Sequence, residues 1–177
     1  MSISITLHRS GTSRTQQVDT TTTGLDLFGS DRAVVAMRVD GNLVDLQREL
    51  HDGAEVEPVE ATSEDGLNII RHSATHVMAQ AVQQLYPEVN LGIGPFITDG
   101  FYYDFGNIEP VTPEVLSEFE KRMKRIVKEN QRFVRRVTTE ESAREELADQ
   151  PYKLELIGTK GKGAEGASVE VGGGELT

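Results

Sequence analysis

The sequence predicts an α+β protein in two parts, a strand-rich module over residues 1–62 and a helix-led mixed domain over residues 63–177. Three observations carry that expectation. Short alternating apolar segments, punctuated by Gly and Asp turns, fill the first part. A long run with helical spacing follows directly after Ser63-Glu-Asp-Gly66. A composition of 37% hydrophobic and 27% charged residues belongs to a chain that can bury a core, not to a disordered one.

The elements read in order as follows. Ser2 to Leu7 alternates Ser/Thr with Ile/Leu, a half-buried strand, and Arg14 to Val18 returns after a turn at Gly11. The Thr20–Thr23 run caps a short helix whose Leu25, Leu27 and Phe28 point inward. Ala33 to Val39 is a β-branched strand, Asp40-Gly41 a hairpin turn, and Leu43-Val44 its return. Asp45 to Leu50 is polar and reads as a helical link, and after Asp52-Gly53 a last strand covers Glu55 to Val59. Two strands, a short helix and further strands in this order describe a β-grasp, or ubiquitin-like, module.

Ser63 caps the next helix, with Glu64 and Asp65 in its first turn, and Pro87 stops it near Tyr86. Along it Leu67, Ile70, Val77, Met78, Ala81, Val82 and Leu85 keep helical spacing. Leu91 to Asp104 is punctuated by Gly and Pro and reads as two short strands and a turn. Thr112-Pro113 opens a second strong helix with Leu116, Phe119, Met123, Ile126 and Val127 on its apolar positions. Phe133 to Val137 reads as a short strand, Thr139 onward as a third helix, and Pro151 to Ile157 as a brief further element. From Gly158 glycines dominate, and Ser168-Val-Glu-Val alternates, which reads as a loop or hairpin within a β region that the chain leaves unfinished.

Composition narrows the function classes. A net charge of -11 argues against coating a nucleic acid. The charge is uneven, however: between Lys121 and Arg136 eight basic residues face one acid, Glu129. Such a segment suits contact with a polyanion in one place, although its commoner role is the solvated face of a helix. With no cysteine, the chain has neither disulfides nor thiolate chemistry. No apolar run approaches membrane-spanning length and no signal peptide is visible, so the expected address is cytoplasmic, with no membrane partner.

His72 and His76 sit one helical turn apart and project from one face. Three readings stand: ordinary surface or core histidines, a metal site, or metal-free acid–base and water-positioning chemistry. The metal reading lacks ligands, since zinc takes three or four and the other histidines, His8 and His51, belong to the first module. Nor is this HExxH, because Ser73 stands where the glutamate is needed. Gly92-x-Gly94-Pro95 is no dinucleotide fingerprint, and its glycines read as places where a ligand approaches the backbone. Phe101, Tyr102 and Tyr103 read as core aromatics by default. Lys153 carries no signal by itself.

Taken together, these motifs resemble the N-terminal region of bacterial-type threonyl-tRNA synthetases along essentially the whole chain. The Arg38-Val-Asp-Gly-Asn-Leu-Val-Asp-Leu hairpin is similar to that of the family's TGS domain, a β-grasp module. Ile69-Ile-Arg-His-Ser-Ala-Thr-His and Ile93-Gly-Pro-x-Ile-x-x-Gly-Phe-Tyr-Tyr-Asp resemble its editing domain, shared with alanyl-type enzymes. The resemblance implies a TGS domain over 1–62 and most of a tRNA-editing domain over 63–177. It implies contact with tRNA(Thr), the segment 121–136 among the contacts, and hydrolysis of mischarged seryl-tRNA. It assigns His72 and Lys153 to catalysis and His76, Gly94 and Tyr103 to binding, with no metal and no cofactor in this part. Zinc, ATP, magnesium and homodimerisation belong by resemblance to the full-length ligase, and the piece alone is expected to be monomeric.

One departure bears on activity. The family completes its editing site with a Cys-x-x-Gly-Pro-His segment, and this sequence has no cysteine. The expectation is therefore an open, incomplete pocket and no aminoacylation by this chain alone. Two other classes fit less of the sequence: a free-standing trans-editing hydrolase and a non-catalytic TGS-type RNA-binding or regulatory module.

Overall fold

The computed structural model describes residues 1–131, 136 and 138–160 of the chain. The strand expected at Phe133–Val137, the glycine-rich stretch after Lys160 and the alternation at Ser168 lie outside the described residues. The chain forms two compact units, with the boundary between Ile70 and Arg71.

The first unit is a five-stranded mixed sheet with one short helix. Its elements are β1 (Ser2–Arg9), β2 (Thr12–Asp19), α1 (Gly24–Phe28), β3 (Val34–Val39), β4 (Asn42–Val44) and β5 (Glu55–Glu60). Spatial order is β2-β1-β5-β3-β4, with β1 and β5 parallel and every other pair antiparallel. Alternation builds the core: Ile3 and Ile5 from β1 meet Met37 and Val39 from β3, Val56 from β5 and Phe28 from α1. Both tight hairpins use two residues at positive φ, Ser10-Gly11 and Asp40-Gly41, the geometry that matches the twist of the flanking strands.

Two expectations need correction here. Leu25 is 40% exposed, while Phe28 is buried and Leu27 packs against the core from a half-buried position. A five-residue helix makes little more than one turn, so it cannot aim all three apolar residues the same way. Asp45 to Leu50 is not helical. Its backbone bonds go to the α1 segment instead, from Leu50 N to Thr22 O and from Leu25 N to Leu46 O, and Asp45 Oδ1 accepts from Gln47 N.

The helix α2 (Glu64–Leu85) begins in the first unit and continues into the second. Ser63 Oγ accepts from Gly66 N and donates to Glu60 O, closing the first turn. Gly66 is required there: a Cβ on it would lie 2.0 Å from Glu60 O. Leu67 and Ile70 keep helical spacing but are exposed, and neither joins the apolar clusters.

Among its described residues the second unit has four two-residue strands, β6 (Asn90–Leu91), β7 (Phe96–Ile97), β8 (Gly100–Phe101) and β9 (Phe105–Gly106). β7 pairs with β8 and β6 with β9, so one long hairpin is interrupted into two ladders where two strands and a turn were expected. Bonds from Gly92 N to Asp104 O and from Asp104 N to Ile93 O carry the pairing across the gap. The helices α3 (Pro113–Glu129), α4 (Glu140–Glu146) and α5 (Pro151–Lys160) follow.

Thr112 Oγ1 accepts from Val115 N at the start of α3, and Asn130 ends that helix in the left-handed conformation. The core of this unit joins Val82, Val89 and Phe119, with Met78, Leu85, Leu91 and Phe105 packed around them. Leu116 and Val127 are exposed. Helical spacing holds on α3, but the buried stripe is narrowed to Phe119 and Ile126.

Candidate functional site

The middle of α2 carries the two imidazoles. Residues 72 and 76 are one turn apart, and their ring centroids lie 5.1 Å apart in an edge-on arrangement. His76 is exposed and His72 half-buried. Between them Thr75 is almost wholly buried, and its hydroxyl donates to the His72 carbonyl at 2.7 Å. His72, three residues before Thr75, shares its side of the helix, and His76 follows it toward solvent. Phe96 of β7 stands edge-on to His72, with centroids 6.1 Å apart.

The hairpin supplies the second cluster. Gly94 lies on its outgoing arm and Tyr103 on its returning arm. A Cβ on Gly94 would fall 2.2 Å from Cδ2 of the Tyr103 ring. The space left by the missing side chain is filled by the protein's own tyrosine. Tyr103 and Phe105, two residues apart on the returning arm, stack with centroids 4.7 Å apart and planes within 13°. Lys153, from α5, holds Nζ 5.9 Å from the Tyr103 centroid, a cation–π approach.

The structure thus brings His72 to His76, and separately Gly94, Tyr103 and Lys153 to one another. Phe96 follows Gly94 by two residues, so one hairpin arm reaches both groups. Sequence reasoning missed Phe96 and Phe105. The aromatic triplet Phe101-Tyr102-Tyr103 drew attention instead, and of these Tyr102 is 47% exposed, against the core role expected of it. A concavity of about 430 Å³ lies beside the hairpin base and α5, between Gly92, Phe105, Tyr152 and Leu156, and none of the five candidate residues lines it.

Among the described residues no three His, Cys, Asp or Glu side chains gather where a metal ion could be held. No helix among the described residues is long and apolar enough to cross a membrane.

Three basic residues of the segment pair with carboxylates along α3. Lys121 bonds Glu118 at 2.7 Å, Lys124 bonds Glu120 at 2.5 Å, and Arg125 approaches Glu129 at 3.4 Å. The Lys124 ammonium holds the Glu120 carboxyl below its ordinary range, first through its hydrogen bond and then through its charge. Arg136 pairs with Glu146. These pairs are exposed, so each is worth little to stability.

No family model matches the chain. Individual proteins do. The chain is 99% identical over all 177 residues to a threonine–tRNA ligase of Cutibacterium acnes, of which it spans 26%. It is 59% identical over 177 residues to the threonine–tRNA ligase of Streptomyces avermitilis, spanning 27% of that protein. With the ligase of Micrococcus luteus it shares 58% identity over 159 residues, covering 88% of this chain and 24% of the relative. The chain thus spans about a quarter of the length of the curated relatives it matches.

Proposed function

We propose, from the premise that this chain belongs to the threonine–tRNA ligase family and spans about a quarter of its relatives' length, that it supplies the ligase with tRNA contacts and with proofreading of seryl-tRNA(Thr). In this reading residues 1–62 are the TGS domain and residues 63–177 the greater part of the editing domain. The strand order β2-β1-β5-β3-β4, with β1 and β5 parallel and a helix between β2 and β3, supports the β-grasp assignment. The full-length ligase joins threonine to tRNA(Thr) with ATP. Its metal ions have no donor cluster among the described residues, and the hydrolysis proposed for this chain uses side chains alone.

Proofreading answers a limit of binding. Serine lacks one methyl of threonine, and a contact of that size discriminates by only about 1–3 kcal/mol. A synthetase site that accepts threonine's hydroxyl therefore mischarges some serine, and a second site must hydrolyse the ester. Water adds to the ester carbonyl and loses a proton to a base. The carbonyl then re-forms as the ribose oxygen departs and takes up a proton, giving free serine and uncharged tRNA.

The paired rings of His72 and His76, one turn apart with Phe96 edge-on to the first, are the observation that carries this reading. As a class imidazoles exchange protons near neutral pH, which suits His72 to receive the proton of the water. His76, the more exposed of the two, takes the terminal nucleotide in this reading. Lys153, held over Tyr103, supplies a positive charge for the developing oxyanion or the leaving oxygen. Gly94 and Tyr103 form the wall against which the seryl ester lies. The segment 121–136 is the surface assigned to the tRNA backbone, its carboxylate partners giving way to phosphates.

The test uses the full-length ligase. His72→Ala retains threonylation and accumulates seryl-tRNA(Thr); unchanged deacylation of seryl-tRNA by this variant removes the imidazole pair from the mechanism.

A further inference from the structure

We propose that the open face of the β1–β5 sheet binds a small zwitterion of the α-amino-acid class, at a site separate from the imidazole pair. In β1, β3 and β5 the residues that enter the core alternate with residues on the opposite face. Ile5, Val39 and Val56 point inward, which leaves His8, Arg38 and Glu57 on the other side. Arg38 and Glu57 are direct cross-strand partners. A cavity of about 350 Å³ lies there, with the end of β1 on one side and the first turn of α2 closing it. That volume is within the range of small-molecule sites and holds an amino acid comfortably.

The lining carries both signs of charge. Arg9 and Arg38 contribute guanidinium groups, and Glu57, Glu60 and Asp65 contribute carboxylates. Arg38 is held in place by an ion pair to Asp65 and by Nη1 donating to Gly41 O, so its remaining donors are pre-organised. Arg9 is anchored by Asp31. Glu57 and Glu60 have no ion pair among the described residues. His8 borders the cavity as well. Its Nδ1 lies 2.9 Å from Ser13 Oγ, and its buried Nε2 has no hydrogen-bond partner among the described residues.

Charge complementarity selects the occupant. A dianion such as phosphate is repelled by three carboxylates, and a simple amine leaves the guanidinium donors unmatched. A molecule with an ammonium for Glu57 and Glu60 and a carboxylate for Arg38 and Arg9 satisfies both sets. Such a ligand has few atoms and the site is open to water, so affinity is on the order of millimolar.

The test is an NMR titration of the isotope-labelled full chain with glycine, L-alanine, L-serine and L-threonine. Expected are saturable shifts of the His8 imidazole and of the Arg38 and Glu57 amides, absent with equal concentrations of propionate, propylamine or phosphate. Glu57→Gln weakens binding roughly fivefold with the sheet amides otherwise unmoved. Should that change disturb the sheet, Glu60→Gln, at an exposed position, carries the same expectation. No saturable shift, equal shifts with any single-charge control or with phosphate, or unaltered binding in both variants overturns the proposal.

Discussion

Replacing Gly94 with alanine isolates the contact on which the hairpin cluster rests. The backbone at Gly94 is not in the left-handed region, so alanine costs nothing there in conformation. The whole cost is steric. The new Cβ would lie 2.2 Å from Cδ2 and 2.5 Å from Cε2 of the Tyr103 ring. An ordinary carbon–carbon contact is about 3.7 Å, so the ring must retreat by roughly 1.5 Å. It is stacked on Phe105, which packs against the Val82–Phe119 core, so retreat disturbs the stack and shifts Tyr103 relative to Lys153. Overpacking of this kind costs about 1–3 kcal/mol.

Urea unfolding measures that loss, and near-ultraviolet circular dichroism reports the tyrosine. Gly100→Ala is the internal control, because its Cβ would meet nothing within 4 Å and its backbone is equally unstrained. In the full-length ligase Gly94→Ala should also slow seryl-tRNA deacylation while threonylation continues. If Gly94→Ala matches Gly100→Ala in midpoint and leaves the tyrosine signal intact, Tyr103 is not seated on Gly94 and the geometry assigned to this cluster is wrong.

Three further outcomes follow from other parts of the chain. Phe119→Ala removes a buried ring edge-on to Tyr86 and should destabilise the second unit by about 3–5 kcal/mol in denaturant unfolding. Thr112→Ala removes the side-chain acceptor for Val115 N and should cost about 1 kcal/mol, read from the same curves. Asp26 caps α1: its Oδ2 accepts from Thr23 N and from the Thr23 hydroxyl, and these bonds, the backbone one first, lower the carboxyl's pKa. A carboxyl depressed in the folded state contributes stability above its unfolded pKa and loses that contribution as pH falls through the folded value. Thermal melts of the parent should therefore decline into acid by a component that Asp26→Asn lacks, the variant being less stable at neutral pH.

Element identity was largely legible in the sequence because its signals are local. Ser63, Thr112 and Thr139 announced helix starts through caps that act within three residues. Gly11 and Gly41 marked the hairpins because few residues tolerate the positive φ that those turns demand. Orientation was less legible. Leu25, Leu67, Ile70, Leu116 and Val127 keep helical spacing yet are exposed, since spacing states that residues share a face but not whether anything covers it. The Asp45–Leu50 link misled for a related reason, because its backbone partners lie some 25 residues away in the α1 segment.

The sequence alone determined that His72 and His76 stand together, since the helical repeat places residues four apart side by side whatever surrounds them. It also carried the resemblance that the relatives then supported. Only the tertiary structure decided that Gly94 makes room for Tyr103, that Phe96 stands against His72, and that Lys153 comes over the tyrosine from a helix some 50 residues further on. Those contacts arise where separate elements pack, and packing is settled by the shape of all the neighbours together, which no short window of residues contains.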